Sequence, residues 1–233
     1  MFFFDPLYLL FSLPAILLVL FAQWKVKSAY NKYTKVPNER GMTGEQAAQR
    51  LLMVNGLNGV NVEGIPGDLT DNYDPRSKTL RLSAGVAKVA SVASLGIVAH
   101  EIGHAMQDKT GYMPLKVRGA IVPAVQLGST LGPILVLAGI LIRFTGLAWV
   151  GVGVFSLALV FSVITLPVEI DASRRALAML TSNGLVSRFE ADGVKTVLTA
   201  AALTYIAAVA QALSQILYYV FILTGSGGRR RSN

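Results

Sequence analysis

Residues 119–168 read GAIVPAVQLGSTLGPILVLAGILIRFTGLAWVGVGVFSLALVFSVITLPV, a stretch whose single charge is Arg143. A helix rises about 1.5 Å per residue and needs roughly 20 apolar residues to cross about 30 Å of hydrocarbon. The stretch is long enough to cross twice, with Arg143 in the turn between crossings. Residues 6–24 and 196–228 also lack Asp, Glu, Lys and Arg. Four membrane spans are therefore predicted, in a mainly α, polytopic membrane protein. The chain is 53% hydrophobic and 15% charged, with a mean hydropathy of +0.53. Such a composition excludes a disordered chain and a basic nucleic-acid-binding protein. The net charge of +8 reads instead as lysine and arginine flanking a lipid bilayer. Cysteine is absent, so disulfides and thiolate ligands are excluded and any metal site must use nitrogen and oxygen.

The chain divides along the same lines. Residues 1–24 form an anchor whose leader lacks basic residues and whose Lys25 and Lys27 follow the apolar run, so it reads as uncleaved with its N-terminus outside. Residues 25–118 form the sizeable water-exposed part, and 119–166 a transmembrane hairpin that returns 167–195 to the same side. Residues 196–224 cross again, and 225–233 form a basic tail. The side with 24–118 and 167–195 holds seventeen lysines and arginines, against four at Arg143 and Arg229–Arg231. That excess predicts a cytoplasmic (plasma) membrane protein with its working face in the cytoplasm. The tail arginines favour the cytoplasm as well, and would reach it if the fourth stretch were re-entrant.

Within the water-exposed part, Thr43 and Gln46 stand in capping-box spacing before a helix over 45–54 that ends at Asn55-Gly56. Residues 60–63 and 79–82 alternate, with turn residues between them, and predict a small antiparallel pairing. Residues 91–107 predict a buried helix. Ser187 and Glu190 repeat the capping-box spacing and predict a short polar helix or turn before the last span.

The chain has two histidines, in His100-Glu101-Ile102-Gly103-His104. Four residues apart on a helix, both imidazoles share one face and can hold one divalent ion. Glu101 lies about 100° round the helix from His100, next to a metal-bound water rather than on the metal. Zinc lowers the pKa of such a water towards about 7, and a neighbouring carboxylate takes its proton. Chance would place two histidines four apart in roughly one sequence in a hundred, and a buried glutamate without a partner is costly. A catalytic zinc wants three protein ligands and an open position. With no further histidine, the third must be a carboxylate: Glu169, which follows 25 uncharged residues and is returned by the hairpin, with Asp171 as the competing ligand. Both acids could alternatively begin a solvated helix.

These residues resemble the YugP-type neutral zinc metallopeptidases, membrane proteins related to the HtpX-type gluzincins. The resemblance runs through the anchor, residues 69–76 (LTDNYDPR), 80–83 (RLS after Leu80), the histidine motif with Ala105-Met106-Gln107-Asp108, Gly111-Tyr112, and 169–176. It implies one catalytic Zn2+ on His100, His104 and Glu169, Glu101 as the base, and a zincin-like α+β cytoplasmic part. In HtpX-type relatives the third ligand is followed by alanine and aspartate three and four positions on. Here Ala172 matches and Ser173 departs.

Other roles are expected more loosely. Asp108 and Asp171 are candidate partners for the second nitrogen of a histidine ligand. Arg174, Arg175 and Tyr205 are candidate oxyanion donors, although basic residues after a span also serve as headgroup anchors. Thr79, Leu80, Arg81, Leu82 and Ser83 form a candidate edge strand for an extended protein or peptide substrate. The function expected is a membrane-embedded zinc endopeptidase. A catalytically inactive metal-binding scaffold is the alternative. A transporter is disfavoured because the spans carry no ionisable pathway.

Overall fold

The structure is a computed structural model that describes residues 6–228. The leader and Arg229–Arg231 of the expected tail lie outside the described residues. The elements are α1 (Pro6–Tyr33), α2 (Gly44–Val54), β1 (Asn61–Ile65), β2 (Asn72–Asp74), β3 (Thr79–Ser83), α3 (Ala84–Ala87), α4 (Val92–Lys109), α5 (Met113–Leu141), α6 (Thr145–Ser182) and α7 (Arg188–Gly228). The chain is mostly helical, and α1, α5, α6 and α7 are long and apolar enough to cross a membrane. Two compact units emerge. One comprises the chain up to Ala22, Val117–Leu166 and the chain from Thr204; the other comprises Gln23–Lys116 and Pro167–Leu203.

In the first unit, Arg143 turns the hairpin between α5 and α6 with a left-handed φ of 60°. Small residues then let the two backbones touch. A Cβ on Gly139 would lie 2.4 Å from the Ala148 nitrogen, and one on Gly151 2.6 Å from the Val136 nitrogen. Lipid tails are as apolar as leucine, so close packing rather than exclusion of water holds such a pair together. Elsewhere in this unit the Ser214 hydroxyl donates to the Phe11 carbonyl, and the Tyr8 and Tyr218 rings meet edge to face at 5.2 Å.

The second unit has a water-soluble kind of core. Thr43 and Gln46 close the expected capping box on α2, satisfying two backbone N–H groups that the first turn leaves open. The buried face of α2, with Ala47, Ala48 and Leu51, packs on Leu95, Val98 and Ile102 of α4 together with Leu80 and Leu82 of β3. The helix expected over 91–107 is α4, and Ser91 caps it. The Ser187–Glu190 pair also forms, but it opens α7 directly instead of a separate short helix. Glu190 is buried, and a second bond from the Glu39 N–H ties the 37–41 loop to that helix start.

The sheet differs from the expected antiparallel pairing of 60–63 with 79–82. Its order is β1-β3-β2, with β1 parallel to β3 and the three-residue β2 supplying the antiparallel partner. Thr79–Ser83 is therefore the central strand, and its edges are already used on both sides. It cannot accept a substrate strand by edge addition. The physical reason is burial: β3 carries Leu80 and Leu82 into the core, whereas β1 is largely exposed. The strand that best fills the core takes the middle.

The hairpin contacts make a specific prediction. Gly139→Ala and Gly151→Ala should each cost about 1–3 kcal/mol through backbone clash and lower the thermal midpoint of the purified protein in detergent. Gly153→Ala, where an added Cβ meets nothing within 4 Å, should leave that midpoint unchanged.

Candidate metal site

The site belongs to the second unit and joins α4 to the C-terminal part of α6. Gly103, inside the histidine motif, lies against the α6 backbone, where a Cβ would stand 2.5 Å from the Ala172 carbonyl oxygen. Ala172, on the other side of the contact, is fully buried. Two small residues thus bring the helices close enough for short-range chemistry between their side chains.

The His100 and His104 rings stack one turn apart, with centroids 4.8 Å apart and planes at 84°. Both Nε2 atoms face one oxygen of Glu169, at 3.2 Å from His100 and 3.5 Å from His104. Glu169 is only 2% exposed. Ligands about 2.0–2.1 Å from one tetrahedral zinc stand roughly 3.3 Å from each other, so the observed spacings fit a shared ion. Among the described residues, His100, His104 and Glu169 are the group of histidines and acids that could hold a metal, with ligand atoms within 4.8 Å of one another. Two neutral imidazoles and a buried carboxylate also leave a negative charge that a divalent cation offsets.

The other ring nitrogens also have partners, and that of His104 fixes its tautomer. Gln107 is fully buried; its amide NH2 donates to the Val168 carbonyl at 2.7 Å and to the Asp171 carboxylate at 2.9 Å. Those two acceptors have no proton to give, so the Gln107 oxygen must face His104 Nδ1, at 3.0 Å. His104 therefore carries its proton on Nδ1 and presents an Nε2 lone pair to the ion position. His100 Nδ1 meets the Ser173 hydroxyl at 3.2 Å. Arg175 holds Asp171 in turn, Nε to Oδ2 at 2.6 Å, and its guanidinium lies over the Tyr112 ring at 5.8 Å.

Glu101 stands beside this group. One of its oxygens accepts the Tyr73 backbone N–H at 2.9 Å. Burial pushes its carboxyl above the ordinary carboxylate range, while the two imidazoles pull the other way.

Several expected roles fall elsewhere. Asp108 does not reach His104; it accepts the Tyr73 hydroxyl at 2.7 Å and pairs with Lys78. Helix spacing puts both Gln107 and Asp108 near the face of His104; Asp108 is taken by Tyr73 and Lys78, and Gln107 meets the imidazole. Asp171 acts on His104 only through Gln107. Ser173, noted in the sequence as a departure, is the partner of His100. Arg174 is exposed, and Tyr205 belongs to the other unit. Gln107 and Tyr73 had no role assigned from sequence, and the i,i+3 spacing from His104 was the signal for Gln107.

Over residues 8–224 the chain matches a family model described as "Putative neutral zinc metallopeptidase". It is 42% identical over 216 residues to the Bacillus subtilis (strain 168) protein named "Putative membrane protease YugP", covering 93% of this chain and 96% of that one. The chain belongs to this zinc metallopeptidase family. It is an integral membrane enzyme that uses Zn2+ and takes a peptide substrate. No solved structure matches it.

Removing the Gln107 amide should loosen the metal. Gln107→Leu is expected to weaken zinc binding about 10–100-fold, read by competition with a chromogenic chelator.

Proposed function

We propose that the protein is a membrane-embedded endopeptidase of gluzincin type that hydrolyses peptide bonds of membrane-associated or unfolded proteins. In this reading His100, His104 and Glu169 hold the zinc and Glu101 is the general base. The observation that carries it is the convergence of two Nε2 atoms and the Glu169 carboxylate at ligand spacing, with a further carboxylate beside them. Bound there, zinc supplies a Lewis acid that polarises the scissile carbonyl and acidifies a water molecule.

The chain's own groups carry the proton. Glu101 takes a proton from the attacking water as oxygen bonds to the carbonyl carbon, and gives it to the leaving nitrogen as the C–N bond breaks. The burial that raises its carboxyl pKa makes it the stronger base for the first of these transfers. Gln107 holds His104 in the tautomer that leaves its Nε2 unprotonated, and Ser173 meets the Nδ1 of His100. Residues 25–118 and 167–195 form the zincin-like part of the enzyme, and 1–24, 119–166 and 196–224 cross the bilayer. The excess of lysine and arginine flanking the site-bearing segments supports a cytoplasmic site.

Purified full-length wild type and Glu101→Gln, each assayed for bound zinc and for cleavage of a fluorescently labelled unfolded protein, test this. Glu101→Gln should keep its zinc and lose about 10²–10⁴-fold in kcat. An inactive scaffold would show no cleavage with either protein. In the same assay His100→Ala and Glu169→Ala should lose both zinc and activity.

A further inference from the structure

One cluster beside the site has no part in the chemistry above: Tyr73, Lys78 and Asp108. Glu101 and Asp108 are seven residues apart on α4, two full turns, and so share a face. Tyr73 of β2 spans that distance, with its backbone N–H on Glu101 and its hydroxyl on Asp108. Lys78, in the turn between β2 and β3, closes on the same Asp108 oxygen. Lys78 holds a left-handed φ of 52°, uncommon outside glycine, so the turn bends to make this contact.

β2 needs such an anchor. It has three residues and one strand neighbour, and short edge strands open readily. Burial and the Asp108 charge raise the Tyr73 phenol above its ordinary range, so it stays a proton donor to the carboxylate.

We propose that Asp108 is a positioning residue: it straps β2 to α4 through Tyr73 and Lys78, so that the Tyr73 amide holds the Glu101 carboxylate in place for proton transfer. This deepens the reading of Glu101 as the base and rests on it. It also separates Asp108 from the metal, since it acts on the base and not on a histidine ligand.

The test uses full-length protein in detergent, with bound zinc, thermal midpoint, kcat and KM measured for Tyr73→Phe, Asp108→Asn and Asp108→Ala. A carboxylate displaced by a fraction of an ångström loses much of its catalytic value, so Tyr73→Phe and Asp108→Ala should each lower kcat by roughly 10–100-fold. Zinc content and KM should stay at wild-type values. Asp108→Asn, which keeps an acceptor for the Tyr73 hydroxyl, should recover part of the loss. The double variant Tyr73→Phe/Asp108→Ala should be no slower than the worse single one, because both break one bond. Loss of zinc from Asp108→Ala overturns the proposal in favour of a direct role at the metal. A lowered thermal midpoint with unchanged kcat overturns it in favour of a purely structural contact. Glu101→Gln is run alongside: if it retains wild-type turnover, the base assignment fails, whereas an inactive Glu101→Gln with a wild-type Tyr73→Phe sinks only the strap.

Discussion

The contact between Gly103 and Ala172 is the constraint on which the site depends. A Cβ at position 103 would stand 2.5 Å from the Ala172 carbonyl oxygen, far inside van der Waals contact, so glycine is what lets α6 come near enough for Glu169 to reach both imidazoles. The middle residues of the histidine motif therefore have unequal duties. Ile102 is fully buried in the core, Gly103 makes room for α6, and Glu101 is left facing the chemistry. A five-residue segment joins core, helix contact and site.

Around the ion position, the second unit spends its buried polar groups on orientation. Buried polar atoms are costly unless paired, and the pairs beside His104 form one connected set. Gln107 locks His104 while tying α4 to the Val168 carbonyl, Asp171 holds Gln107, and Arg175 holds Asp171. The result is a chain of hydrogen bonds that runs from a partly exposed guanidinium to an imidazole. Glu101, beside them, accepts a backbone amide from the sheet. The imidazoles and Glu101 are thus supported from different places, the first by Gln107 of α4 and Ser173 of α6 and the second by β2.

The two units are stabilised by different physics. In the first, glycine and alanine allow the hairpin backbones to touch where solvent exclusion offers no drive. In the second, leucine, valine and isoleucine from α2, α4 and β3 fill a core of the kind found in water-soluble domains.

Much was legible in the sequence because it depended on local order. Hydropathy over twenty-residue windows gave four helices long and apolar enough to cross a membrane, capping-box spacing gave the start of α2, and i,i+4 spacing put the two histidines on one face. Absence of cysteine and of a third histidine pointed to a carboxylate, and the hairpin made Glu169 the one to expect. What the sequence misread were choices among partners distant in the chain. Strand order was one, since local alternation marks a strand without saying which neighbour it pairs with, and burial of Leu80 and Leu82 put β3 in the middle. The support of the ligands was another. Asp108 was the more obvious carboxylate, yet Tyr73 and Lys78 of the β2–β3 segment engage it, while the neutral Gln107 meets the imidazole. Spacing along one helix set which residues could bind a metal and put Gln107 within reach of His104, but only the packing of α4 against α6 and β2 brought Ser173 to His100 and Tyr73 to Glu101, because those bonds join atoms that the chain order leaves 28 to 73 residues apart.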